Sequence, residues 1–347
     1  MNRKILSGPD FCAVKEDGKL VEYISLSDDD QCGDILLGRI GRIMSGMQCA
    51  FVDIGRKKEG FLPLSENSRS FTGEKFRSGD TILLQIKKEE HADKGAFLSR
   101  DVTLPGRFVI LMPMNRYTGV SSRIDHPDIR EKLRDMGSRV SEGQFGIIMR
   151  LAAADAGEKE IHAETEELYN LWHQIHYTAE KDGRPGTILM HGNPAEQLQK
   201  DYSSRGDTEI QYVDEPDGDL IRQLNEAGQR RLPLPGGGNI VIDRCEAMTV
   251  IDVNTASAQG PGSKEQLILQ TNLEACLLIS QQIRLRNLSG IIMIDFIDME
   301  TEKDRNLVQI QLDQCCRNDR VKTVIHGWTK LGLMEMTRKR TRRGNNE

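Results

Sequence analysis

Met248-Thr-Val-Ile-Asp252-Val-Asn254 and Gly290-Ile-Ile-Met-Ile-Asp295-Phe-Ile-Asp298 are the two runs whose reading decides the fold. Thr249 to Val253 and Ile291 to Ile297 are β-branched and apolar, which predicts strands buried on both faces. Between them, Asn254 to Lys264 is a loop rich in Gly, Ser, Ala and Pro. Lys264 to Asn287 then carries Leu269, Leu273, Cys276 or Leu277, and Ile283 at helical spacing. A helix of this length must return along the first strand, so the two strands are most simply parallel. Asp252 and Asp295 then lie at the carboxyl ends of neighbouring strands, the edge at which open α/β sheets bind ligands. Asn254 shares the face of Asp252, whereas alternation points Asp298 away from Asp295. Two carboxylates and a carboxamide suit a hard cation such as Mg2+, which takes oxygen ligands and keeps waters that a phosphate can replace. On these residues alone, acids that merely cap loops at the strand ends are an open alternative.

The chain has 347 residues, 37% apolar and 29% charged, enough for two or three folded domains and unlike a disordered chain. No apolar run approaches the roughly 20 residues that span a bilayer. The start, Met1-Asn-Arg-Lys-Ile-Leu, lacks the apolar stretch of a signal peptide. A cytoplasmic location is therefore expected. Seven cysteines without a Cys-x-x-Cys spacing predict reduced, structural thiols. A formal net charge of −6 excludes indiscriminate coating of nucleic acid, so any such contact must use local basic patches.

Upstream, Ile35 to Met44, Met47 to Ile54, Phe61 to Leu64, Thr81 to Ile86 and Ala96 to Ser99 read as closely spaced strands, the signature of a small antiparallel barrel. Along Met47 to Ile54, Ala50, Val52 and Ile54 face one way, and Phe51 faces the other with Asp53. Arg39, Arg42 and the loop Gly55-Arg-Lys-Lys-Glu-Gly60 set positive charge beside that aromatic. A single-stranded nucleic acid needs this pairing, with stacking for bases and charge for phosphates. The plain alternative is that Phe51 and Phe61 are barrel core. Pro233-Leu-Pro-Gly-Gly-Gly238 lacks the Gly-Lys-Ser/Thr ending of a phosphate loop and predicts a hairpin turn.

Residues 34–100 resemble the S-one type OB-fold barrel, an RNA-binding module, through Gly-Met-Gln-Cys-Ala-Phe-Val-Asp-Ile-Gly55 and Glu-Gly-Phe-Leu-Pro-Leu-Ser65. Downstream, the ordered runs are Gly236-Gly-Gly-Asn-Ile-Val-Ile-Asp243, Met248 to Asn254, Thr271-Asn-Leu-Glu-Ala275, Gln282-Ile-Arg-Leu-Arg286, Ile294-Asp-Phe-Ile-Asp-Met299 and His326 to Arg338. Together they resemble the catalytic core of the ribonuclease E/G family, over most of the chain.

The resemblance implies an α+β and α/β multidomain architecture. An RNase H-like domain (1–33 and 186–228) would be split by the OB-fold barrel (34–100) and a 5′-sensor module (101–185). A DNase I-like catalytic domain (229–347) would follow. It also implies a Mg2+-dependent endoribonuclease that cuts single-stranded RNA to 5′-phosphate and 3′-hydroxyl ends in RNA processing or decay. Asp252 and Asp295 match the metal-holding positions, and Asn254 the residue that orients an acid. Phe51, Phe61 and Lys94 match RNA contacts, and Arg123, Arg150 and Lys322 fall at 5′-phosphate sensor positions. Lys264, Arg284 and Arg286 are further cations available to RNA phosphates. A homodimer through the catalytic domain is implied as well.

Three departures modify this expectation, one being that the segment between the sensor and the catalytic domain is short, so the RNase H-like part should be reduced. Leu151 stands where the family's sensor has Thr after Arg, removing a hydrogen bond worth roughly 1 kcal/mol, so 5′-end sensing should be weakened. The Cys-Pro-x-Cys zinc link is absent, so a zinc-linked tetramer is not expected. The competing class is a non-catalytic RNA-binding or scaffold relative.

Overall fold

The computed structural model describes residues 2–26, 32–64, 75–90, 94–203, 208–255 and 263–339. The acidic turn 28–30, most of the loop 254–264 and the basic run beyond 339 lie outside the described residues. The chain forms two compact units, one of residues 1–25 with 209–347 and one of residues 26–208.

The discontinuous unit begins with the antiparallel strands β1 (Arg3–Ser7), β2 (Phe11–Glu16) and β3 (Lys19–Ser25). Asp17 and Gly18, with φ of 48° and 79°, make the turn between the last two. Asp and Gly are the residues that reach this left-handed region at low cost.

The second unit opens with β4 (Ile35–Met44), β5 (Cys49–Asp53), β6 (Gly60–Pro63), β7 (Thr81–Lys88) and β8 (Phe97–Ser99). Their order is β4-β5-β6-β8-β7, and β7 pairs back onto β4, which closes a five-stranded barrel. Ala50, Val52 and Ile54 point inward with Leu36, Ile40, Leu62, Leu84 and Leu98, as the alternation predicts. Next come β9 (Leu104–Pro105), β10 (Val109–Met112), β11 (Thr118–Val120), α1 (Pro127–Ser141), β12 (Gly146–Met149) and α2 (Glu158–Asp182). The sheet β11-β12-β10-β9 and the two helices share a core that includes Leu111, Ile147, Met149, Leu133, Leu168 and Trp172. β13 (Ile188–Met190) pairs antiparallel with β4, and α3 (Pro194–Ser203) follows. The stretch 186–228, expected as one piece, is therefore shared between the units, because its first strand is claimed by the barrel wall.

The chain returns to the discontinuous unit with β14 (Thr208–Tyr212), which extends the first sheet as β14-β1-β2-β3. In α4 (Gly218–Ala227), Asp217 caps the helix by accepting a hydrogen bond from Leu220 N at 2.7 Å. Leu220 and Ala227 of that helix pack on Phe11, Ala13 and Leu20, joining the two ends of the chain in one core.

The remaining elements are β15 (Arg231–Pro233), β16 (Asn239–Arg244), β17 (Met248–Asn254), α5 (Lys264–Leu285), β18 (Gly290–Asp295), α6 (Glu302–Cys316), β19 (Thr323–Trp328) and β20 (Met334–Arg338). They form the sheet β15-β16-β17-β18-β20-β19, in which β17 and β18 are parallel as expected. The glycine run is the predicted hairpin turn, with Gly237 and Gly238 at φ of 94° and 90°. Burial on both strand faces does not hold. α5 and α6 pack together on one face, covering Ile251, Val253, Ile292 and Ile294. Val250 and Ile291, on the other face, are 37% and 47% exposed. Among the described residues, no helix is long and apolar enough to cross a membrane. All seven cysteines are free thiols.

Candidate active site

Register brings the two predicted acids together. β17 and β18 run parallel with Asp252 directly opposite Asp295, each at or beside the end of its strand. Asp252 is half-buried, and the Asn254 amide donates to its Oδ2 at 2.7 Å, which fixes the carboxylate plane. Partial burial pushes the Asp295 carboxyl above the usual carboxylate range, and the charges of Asp252 and Asp298 push the same way. Alternation had pointed Asp298 away. β18 ends at Asp295, so the pleat no longer governs residue 298, and Asp298 comes close enough to act on Asp295.

Asn272, fully buried on α5, is a positioning residue that sequence reasoning did not single out. Its Nδ2 donates to Ile297 O at 2.9 Å, and its Oδ1 accepts from Ile297 N at 3.1 Å. These two hydrogen bonds to the backbone of one residue hold the segment between Asp295 and Asp298. The only sequence signal was its place in the Thr271-Asn-Leu-Glu-Ala275 run. On the other side of β17, Asn239 faces Asn254, and its Oδ1 is buried without a hydrogen-bond partner among the described residues. The acid pair thus has an unfilled oxygen acceptor nearby on the same sheet.

A cavity of about 230 Å3 opens beside Asp298, lined also by Lys264, Glu265, Ile268, Met299 and Arg305. Lys264 is exposed there, at the start of a helix whose Ser263 accepts from Gln266 N at 3.3 Å. Arg284 and Arg286 are not available to phosphates. Arg284 is 6% exposed and donates to Glu16 Oε2 at 2.9 Å, and Arg3 donates to the other oxygen of that carboxylate at 3.1 Å. Arg286 donates to Gln229 O at 2.6 Å and to Gln282 Oε1 at 2.8 Å. Both arginines brace the interior of their unit.

In the barrel, Phe51 and Phe61 are register partners with ring centroids 6.2 Å apart, edge to face. Both are half-exposed and lie outside the barrel core, so the plain core reading fails for them. The Arg42 guanidinium sits 5.2 Å from the Phe51 centroid. Lys94 is exposed, just ahead of β8.

Comparison with known proteins shows the family. The sequence pattern of the Ribonuclease E/G family matches residues 103–219 and 216–341, and that of the S1 RNA binding domain matches residues 29–101. Ribonuclease G of Escherichia coli (strain K12) is 34% identical over 378 residues, covering 94% of this chain and 77% of that protein. This chain belongs to the ribonuclease E/G family. Ribonuclease G of Haemophilus influenzae is 35% identical over 358 residues, covering 89% of this chain and 72% of that protein. Ribonuclease E of Nostoc sp. is 30% identical over 372 residues, covering 95% of this chain and 54% of that protein.

The residues expected to sense a 5′-phosphate are placed as follows. Arg123 is half-exposed in the turn after β11, where its backbone N donates to Ser121 Oγ at 3.3 Å. Arg150, which follows β12, is largely buried, with its side chain 12% exposed. Its guanidinium donates to Gly106 O and forms an ion pair with Asp201 of α3. Leu151 is partly buried and packs against the core that includes Leu111 and Ile147. Lys322 is exposed just before β19, in the other unit.

Proposed function

We propose that this ribonuclease E/G family member is an endoribonuclease that hydrolyses single-stranded RNA at the Asp252–Asp295 edge, with Mg2+ as cofactor. The products would carry 5′-phosphate and 3′-hydroxyl ends, in RNA processing or decay. The observation that carries this reading is the direct register of the two acids; partial burial and then the charge of Asp252 raise Asp295, and a cation would offset both.

The donor set fits such an ion. Asp252 and Asp295 would hold it, and no group of three or more His, Cys, Asp or Glu side chains forms a closed cage among the described residues. A two-carboxylate site is the open, water-rich kind that Mg2+ uses with a phosphate substrate. Bound there, the ion would supply Lewis-acid polarisation of the scissile phosphate and a more acidic water.

The chain's own residues do the rest. Asn254 holds the Asp252 carboxylate in one orientation. Asn272 keeps the segment carrying Asp298 in place. Lys264 offers a cation to a phosphate, and Phe51, Phe61 and Lys94 hold the strand by stacking and charge. A homodimer would cover the apolar outer face formed by Met248, Val250 and Ile291.

The test is cleavage of a 5′-monophosphorylated single-stranded RNA in Mg2+. Wild type should cut, with Asp295→Asn slower by on the order of a thousandfold, ~4 kcal/mol in barrier. Wild-type protein that binds the RNA without cutting it would mean a scaffold relative instead.

A further inference from the structure

Each of the five barrel strands places one side chain in a single row on the outer surface. In the order of the strands around the barrel these are Arg42, Phe51, Phe61, Phe97 and Lys88. Phe51 is the register partner of Phe61, Phe61 of Phe97, and Phe97 of Lys88. Arg42 lies in the irregular step of β4 between Ile40, opposite Val52, and Ile43, opposite Ala50. That is the place facing Phe51. The alternate residues Ala50, Val52, Leu62, Ala96 and Leu98 fill the core, so the three rings are not needed there and stay half-exposed. Ring centroids lie 6.2 Å apart between Phe51 and Phe61 and 5.8 Å between Phe61 and Phe97. Both ends of the row carry a cation. Arg42 is 5.2 Å from the Phe51 centroid, and the Lys88 ammonium is 5.4 Å from that of Phe97.

We propose that Phe97 is a third stacking platform, making with Phe51 and Phe61 a three-base subsite for unstacked single-stranded RNA whose ends are held by Arg42 and Lys88. This rests on the RNA-binding reading above and extends it by one base. Nucleotides in a stacked strand rise about 3.4 Å each. Successive rings here stand nearly twice that far apart, so only a strand pulled out of its own stack can place successive bases on successive rings. A duplex cannot do so. The rings offer π-faces and no hydrogen-bonding edge, so the subsite should tolerate any base. The terminal cations sit where the strand's phosphates continue, giving the row a charge-dependent component at its ends only.

The experiment is fluorescence-anisotropy binding of labelled oligouridylates and of a matched RNA duplex to the full chain, in chelator so that RNA is not consumed. Phe97→Leu, which keeps an apolar side chain on β8, should weaken single-strand binding roughly tenfold, leaving duplex binding and the salt slope unchanged. Phe97→Trp should retain wild-type affinity. Lys88→Gln should flatten the slope of log affinity against log salt by about 0.7. Melting curves check that each variant is folded. The proposal is overturned if folded Phe97→Leu binds like wild type while Phe51→Leu is weakened, for then the platform ends at Phe61. It is equally overturned if folded Phe97→Trp loses as much as Phe97→Leu. Wild type that binds no oligonucleotide would instead sink the RNA-binding reading on which the proposal stands.

Discussion

Asp252 faces Asp295 across β17 and β18, and Phe51 faces Phe61 across β5 and β6, so both candidate sites are built on single register pairs. The pairs differ in what happens to charge. At the acid edge two carboxylates face each other with the charge of Asp298 acting on one of them, which is raised by burial and by its neighbours. On the barrel, apolar rings hold the centre and cations stand at the rim. The first arrangement is costly until a cation arrives, whereas the second is stable by itself and waits for stacking partners. The lesson is that strand register can concentrate either kind of chemistry, and that the strain sits where bond making is proposed, away from simple holding.

That contrast predicts a separation of kinetic effects. Asn254→Ala, which frees the Asp252 carboxylate, should slow turnover by about 10- to 100-fold with KM for RNA unchanged. A rise in KM with normal turnover would break the division between an edge that reacts and a barrel that holds.

Arg150 differs from the exposed cations of the barrel. That guanidinium is already engaged by Asp201 and Gly106, and Leu151, partly buried, packs against the core. Rates on substrates with 5′-monophosphate and 5′-hydroxyl ends should therefore differ by less than about tenfold, ~1.4 kcal/mol. A larger preference would show that Arg150 leaves Asp201 to meet the phosphate.

The smallest expected effect is on stability. The folded protein holds the Asp295 proton more tightly than the unfolded chain does, so ionising this group costs stability. The loss sets in as pH rises through the ordinary carboxylate range and persists at neutral pH. In chelator near neutral pH, Asp295→Asn should melt higher by about 2 °C or less, the group being partly solvated. The difference should vanish below the unfolded carboxylate pKa of about 3.9. Added Mg2+ should raise the wild-type melting temperature and leave the variant where it was.

Much of this was legible in the chain. The parallel pairing followed from one strand–helix–strand order, and the barrel from five short runs with alternating faces. What failed did so for identifiable reasons. Runs such as Thr249 to Val253 looked buried on both sides because β-branched residues do not report how many layers cover a sheet, and both helices chose one face. Asp298 was misdirected because alternation was carried past the end of β18. Arg284 reads as a phosphate contact in the sequence because its partner, Glu16, lies 268 residues away in the chain. Phe97 went unremarked because its meaning appears only when β6 and β8 pair in parallel.

The core that joins Phe11, Ala13 and Leu20 to Leu220, Ala227 and Leu285 also sets a schedule for synthesis. The ribosome makes the first hairpin early, then the whole of residues 26–208, before the residues that cover that hairpin exist. At ~5–20 residues per second this leaves its apolar face waiting for roughly ten to forty seconds. The unit that carries the acid pair is therefore completed after the barrel, so a nascent chain acquires its barrel well before its acid pair.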